Sequence, residues 1–198
     1  MVEGPSELIY LKSFSARLEA EGRTSLREDV TIVPTGGLDK VATFVALLGA
    51  SGLKLAILHD YRGAPDQRLL DLVRHKMLSP GAVFNVSQFR DLSKIGSSGT
   101  STDIEDLFTP SVYLDCFNKA FSKALGGTSV SETDLPSDHR IVGRIERYLS
   151  DHGITTRPSG GFNHYTVASH FAVDPPSSID ADTLTRFEEL FKAINAIF

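Results

Sequence analysis

The run Leu53–Asp60, LKLAILHD, is apolar almost throughout and stops at a carboxylate. A strand of this kind is covered on both faces, which requires helices above and below it. The flanking sequence supplies them. GPSELIYLKSFSARLEAEG reads as a helix started by Gly4, Pro5 and Ser6, with a buried stripe of Leu8, Ile9, Leu11, Phe14 and Leu18. DVTIVPTGG reads as a short β-branched strand with a Pro/Gly turn, and LDKVATFVALLGASG as a helix closed by glycine. APDQRLLDLVRHKML follows as a third helix and GAVFNVSQF as a third strand. This alternation predicts an α/β fold with a mainly parallel sheet flanked by helices.

The pattern changes after the third strand. SKIGSSGTSTD, Ser93 to Asp103, is small and polar and predicts a mobile loop that could order on substrate or act as a linker. Helical patterns dominate afterwards, over Pro110–Leu125, Asp138–Ser150, Phe162–Phe171 and Ala181–Phe198. The expected division is therefore an α/β core over residues 1–108 and a helical C-terminal portion over 109–198 packed on it. Val2 is the only residue available to a strand before the first helix, so the chain is expected to be part of a longer protein.

Composition narrows the function classes. The net charge of −5 argues against a broad basic surface for nucleic acid, although bound divalent cations would change the charge a phosphate meets. One cysteine, Cys116, excludes an internal disulfide and a cysteine-rich metal centre, and is expected to be an apolar filler on a helix. No stretch has the length of a membrane span and no signal pattern opens the chain, which predicts a cytoplasmic protein without membrane association.

The acids carry the functional argument. In a parallel α/β sheet, ligands bind at the carboxyl ends of the strands. Glu3 would sit in the turn before the first helix, Glu7 in its first turn, and Asp60 at a strand tip. Asp103, Glu105 and Asp106 follow the polar loop. Hard cations such as Mg²⁺ or Mn²⁺ take oxygen ligands of this kind, and two of them can clamp the oxygens of a phosphodiester. The competing structural readings are helix capping for Glu3 and Glu7, a turn acid for Asp60, a solvated helix-start acid for Glu105, and N-caps or surface acids for Asp103 and Asp106.

VEGPSE, followed by a helix, a strand with a glycine turn and a strand ending HD, resembles a Toprim domain. With DIEDLF and the late FNHYTVASHF, the chain resembles the Toprim nuclease half of the OLD (overcoming lysogenization defect) family of ATP-dependent endonucleases. The resemblance implies Mg²⁺ or Mn²⁺ as cofactor, DNA as substrate, an ATPase domain as partner in cis or in trans, and a role in anti-phage defence. It implies Glu3, Glu7, Asp60, Asp103 and Glu105 as metal ligands, with Glu3, Asp60, Glu105 and His164 catalytic. His164 stands nearest the position where the family carries a basic residue, usually lysine. The chain departs from the family at Arg62, which replaces the second Asp of a D-x-D motif. Arg62 could contact a phosphate or neutralise Asp66.

The other readings follow from this departure. One is a weakened Toprim-like module that docks to or regulates an ATPase; another is a nucleotide phosphohydrolase. Under any of these readings the chain could form a homo-oligomer. PTGGLDK, Pro34 to Lys40, could cradle a phosphate on its backbone N–H groups, though without P-loop spacing. Arg140, Arg144 and Arg147 fall near one helix face and could touch DNA or remain solvated. His59 is expected to pack on the face opposite Asp60.

Overall fold

The computed structural model describes residues 1–90 and 101–198. The mobile loop expected from Ser93 lies almost entirely outside the described residues. Among these are seven α-helices and a two-stranded parallel sheet. In chain order they are α1 (Pro5–Ala20), α2 (Val41–Gly49), β1 (Ile57–His59), α3 (Gln67–Arg74), β2 (Val83–Asn85), α4 (Pro110–Ala120), α5 (Ile141–Asp151), α6 (His164–Val173) and α7 (Ala181–Asn195). β1 and β2 run parallel in the register Ile57–Val83, Leu58–Phe84, His59–Asn85.

The sheet is smaller than the sequence pattern predicts. DVTIVPTGG forms no strand; it contributes one parallel bridge, Val2 to Pro34. Val2 N–H donates to Val33 O at 3.0 Å, Thr35 N–H to Val2 O at 2.9 Å, and Leu58 N–H to Met1 O at 3.0 Å. Met1 and Val2 thus lie between residues 33–35 and β1, which also pairs with β2. The third run shortens for a different reason: after Val83–Asn85 the chain tightens into a 3₁₀ turn over Val86–Phe89. An apolar cavity of about 340 Å³ lies among Met1, Val2, Val30, Ile32, Leu55 and Ile57, and none of the candidate acids lines it.

The core is helical and aromatic. α1 packs on α6 and α7, burying Tyr10, Leu11, Phe14 and Leu18. Leu8 and Ile9, expected in that stripe, are only half-buried, and Tyr10 takes the central place. Phe14 stacks on Phe187 with centroids 3.8 Å apart and meets Phe108 edge-on at 5.2 Å. Buried residues from both halves of the chain, Val2 to Ile194, form one hydrophobic cluster. Cys116 is buried on α4 as expected, and burial pushes its thiol up to about 12. Among the described residues, no helix is long and apolar enough to cross a membrane.

Candidate acidic site

Three segments converge at the carboxyl ends of the parallel segments. The first is the turn Glu3–Gly4 that opens α1. Its geometry is set by glycines at the facing turn: the Gly36 and Gly37 N–H groups both donate to Glu3 O at 2.9 Å, with φ of 77° and 128°. These angles lie in the left-handed region, and a Cβ on Gly37 would come within 2.5 Å of Asp39 Oδ1. These amides hold Glu3, which removes the phosphate-cradle reading of PTGGLDK at these two positions. The Glu7 carboxylate closes the α1 N-terminus by accepting from Gly4 N–H at 3.1 Å, so its capping role is real.

The second segment is the tip of β1. Asp60 N–H donates to Glu3 Oε1 at 3.0 Å, and Asp60 Oδ1 accepts from Ile104 N–H at 3.1 Å. Glu3, Asp60 and the 104–107 turn are therefore neighbours. His59 is buried, with Nδ1 2.6 Å from Asp60 O, and burial holds its imidazolium form down.

The third segment is the 3₁₀ turn Ile104–Leu107, with Asp103 at its head. Asp103, Glu105 and Asp106 are all buried, which corrects the reading of them as surface acids. Asp106 is a structural hub: it accepts from Asp103 N–H at 2.9 Å and Ile141 N–H at 2.8 Å, and lies 3.5 Å from Arg90. Glu105 Oε1 is 3.4 Å from His164 Nδ1, at the first turn of α6. All the sequence-selected residues, Glu3, Glu7, Asp60, Asp103, Glu105 and His164, thus meet in one neighbourhood.

Electrostatics follow from this crowding. Burial first, then the charges of Asp103, Glu105, Glu7 and Glu3, hold Asp60 well above the usual carboxylate range. Glu7 rises to about 7 through burial, aided by Glu105 and Glu3. Asp106 also rises to about 7, because burial outweighs Arg90 and two backbone hydrogen bonds. For His164, burial favours the neutral ring, but the Glu105 hydrogen bond and charge outweigh it and raise the imidazole.

Arginines complete the site, and the sequence pattern did not reveal their partners. Arg62 does not neutralise Asp66, which pairs with Arg68 at 2.6 Å. Arg62 instead spans Asp60 at 3.1 Å and Asp103 at 2.7 Å. Arg140 reaches the other Asp103 oxygen at 2.9 Å. Arg144 and Arg147 bind Glu132 and Asp138 with nearby carbonyls, so these arginines have protein partners rather than a uniformly solvated face. The Tyr10 and Tyr113 side chains are both fully buried, their hydroxyls interact with each other, and the Glu105 charge bears on each. A tyrosine in the middle of an apolar helical stripe was the available signal for Tyr10.

The donor set suits a hard divalent cation by type, since it consists of carboxylate oxygens that repel one another. It does not stand as a ready cage. Among the described residues, no group of three or more His, Cys, Asp or Glu side chains is placed to hold an ion. The arginines lie on the oxygens of Asp60 and Asp103 that would have to turn inward.

This partly buried group of carboxylates lies at the ends of parallel segments, the edge at which α/β proteins as a class bind ligands. Residues 1–61 match the family model for the overcoming lysogenization defect protein-like TOPRIM domain, a nuclease-type domain family. Glu3, Glu7 and Asp60 fall inside the matched stretch; Asp103, Glu105 and His164 lie outside it. No curated protein and no solved structure matches the chain.

Proposed function

We propose that the chain is a metal-dependent endonuclease domain that hydrolyses phosphodiester bonds in DNA, using Mg²⁺ or Mn²⁺ held by Glu3, Glu7, Asp60 and Glu105 with Asp103 beside them. The observation that carries this reading is the convergence of Glu3, Asp60 and the Ile104 turn through two hydrogen bonds of 3.0 and 3.1 Å. When bound, such an ion supplies polarisation of the phosphoryl oxygen and a water nucleophile at neutral pH. The residues do the rest. The Asp60 amide fixes the Glu3 carboxylate, and Glu105 keeps His164 in its charged form for longer as pH rises. A half-exposed imidazolium at the head of α6 can neutralise charge that develops on a phosphate. An ATPase partner, supplied in cis or in trans, and a role in anti-phage defence extend the same proposal.

Arg62 favours a second reading, a weakened Toprim-like module that docks to an ATPase, since its guanidinium lies on two of the acids. Supercoiled plasmid incubated with Mn²⁺ and the protein, beside Glu3→Ala and Asp60→Ala, separates the two. Nicking by the parent chain that both substitutions abolish supports the endonuclease. Intact plasmid throughout, with the ATPase supplied, supports the docking module.

A further inference from the structure

Tyr61 and Thr102 form an isolated antiparallel bridge, with Tyr61 N–H to Thr102 O and Thr102 N–H to Tyr61 O both 2.8 Å. In that register the residue before Tyr61 stands opposite the residue after Thr102, so Asp60 faces Asp103. Like charges directly across an antiparallel pair repel. Both side chains are largely buried, at 14% and 4% exposed, so water screens them poorly. Arg62 resolves the conflict by donating to one oxygen of each, at 3.1 and 2.7 Å. Its own side chain remains 60% exposed, so it can leave toward solvent without unpacking the core.

We infer that Arg62 is a tethered counter-ion occupying the position a divalent cation needs, so that the cation binds by displacing its guanidinium from Asp60 and Asp103. The inference rests on the metal-binding part of the proposed function and adds a specificity-setting residue to it. A guanidinium and a divalent cation cannot both take the facing oxygens of two carboxylates that stand opposite each other. Arg140 differs from Arg62 in this respect: of the two facing acids it pairs among the described residues with Asp103, at 2.9 Å, and it comes from the N-terminus of α5. The displaced arginine is left exposed at the rim, where its planar fork can pair with a phosphate oxygen. Cation binding and anion binding are thereby linked through one side chain.

The test measures Mn²⁺ binding to the full chain directly, by loss of the free-ion EPR signal, for the parent, Arg62→Gln, Arg140→Gln and Asp60→Asn. Melting by circular dichroism in EDTA and in excess Mn²⁺ reports folding and binding together. The expected result is Mn²⁺ affinity raised about tenfold or more by Arg62→Gln, and changed distinctly less by Arg140→Gln. Arg62→Gln should also melt lower than the parent in EDTA and gain more on adding Mn²⁺. Equal affinity in the parent and Arg62→Gln overturns the inference and leaves the metal reading standing. Equal gains from Arg62→Gln and Arg140→Gln also overturn it, since a general field rather than occupancy would then be at work. Absence of Mn²⁺ binding in the parent, Arg62→Gln and Arg140→Gln alike overturns both the inference and the metal reading.

Discussion

The Asp60 backbone amide donates to Glu3 Oε1 at 3.0 Å across 57 positions of sequence. One carboxylate of the rim is thus oriented by the backbone of another acid, and the two cannot be repositioned independently.

The first prediction follows from this bond. Glu3→Gln retains an oxygen acceptor for the Asp60 amide and removes the charge. Stability should change by less than about 1 kcal/mol, while plasmid nicking in Mn²⁺ falls by about a hundredfold or more. Glu3→Ala should lose nicking equally and also destabilise by about 1–3 kcal/mol, because a partly buried N–H loses its partner. Urea melts beside a nicking assay check both, and undiminished nicking by Glu3→Gln would remove Glu3 from the chemistry.

The second prediction concerns pH. Glu7 at about 7 and Asp60 well above its ordinary range bind protons more tightly in the fold than in the unfolded chain. For a raised acid the native state holds more protons between the two pKa values, so stability falls as pH rises from about 4.5 to 7. His164, raised by Glu105, acts in the same direction as pH climbs through its titration, while buried His59 opposes it. Glu7→Gln should therefore match the parent near pH 5 and exceed it by about 2 kcal/mol at pH 8 in EDTA, with the Gly4 cap kept. Melting temperatures across that pH series decide the matter; a gain largest at pH 5 would contradict the sign.

A third prediction isolates the hub beneath the rim. Asp106→Ala strips the acceptor from Asp103 N–H and Ile141 N–H and leaves Arg90 without its carboxylate. The expected cost is about 3–5 kcal/mol, with Asp106→Asn intermediate, since one oxygen remains. Denaturant midpoints at pH 7 measure it, and a loss under about 1 kcal/mol for the alanine variant would show that these bonds matter little.

A fourth prediction addresses the core. Phe14 stacks on Phe187 at 3.8 Å and touches Phe108 and Phe171 at 5.2 and 5.3 Å. Phe14→Ala should cost about 3–5 kcal/mol, and Phe14→Leu distinctly less. Calorimetric melting of the two variants provides the comparison.

The acids were legible in the sequence because their positions were anchored to readable punctuation: Pro5 and the helix it starts, the apolar run before Asp60, and the polar stretch before Asp103. The helices were legible for the same reason, although α4 stops at Ala120 rather than Leu125 and α5 begins at Ile141 rather than near Asp138. The strands were read too long. Residues 29–33 and 53–56 have strand composition, but a strand needs a partner along its whole length, and Met1 and Val2 reach them only at one end. The arginine pairings were not legible. Arg62 and Asp103 stand 41 positions apart, and their meeting depends on a single bridge at Tyr61 that no local pattern announces. Asp103 and Asp106 resembled surface acids because type and neighbours say nothing about burial when the covering helices come from far along the chain.

Arg186, on α7, directs its Nη1 toward the carbonyl oxygens of Asp106, Leu107 and Phe108 at 3.4, 3.4 and 3.3 Å. The final helix, which supplies none of the rim's carboxylates, thereby sets the alignment of the turn that presents Glu105. A perturbation near the C-terminal end would shift the acidic site by tilting its mount.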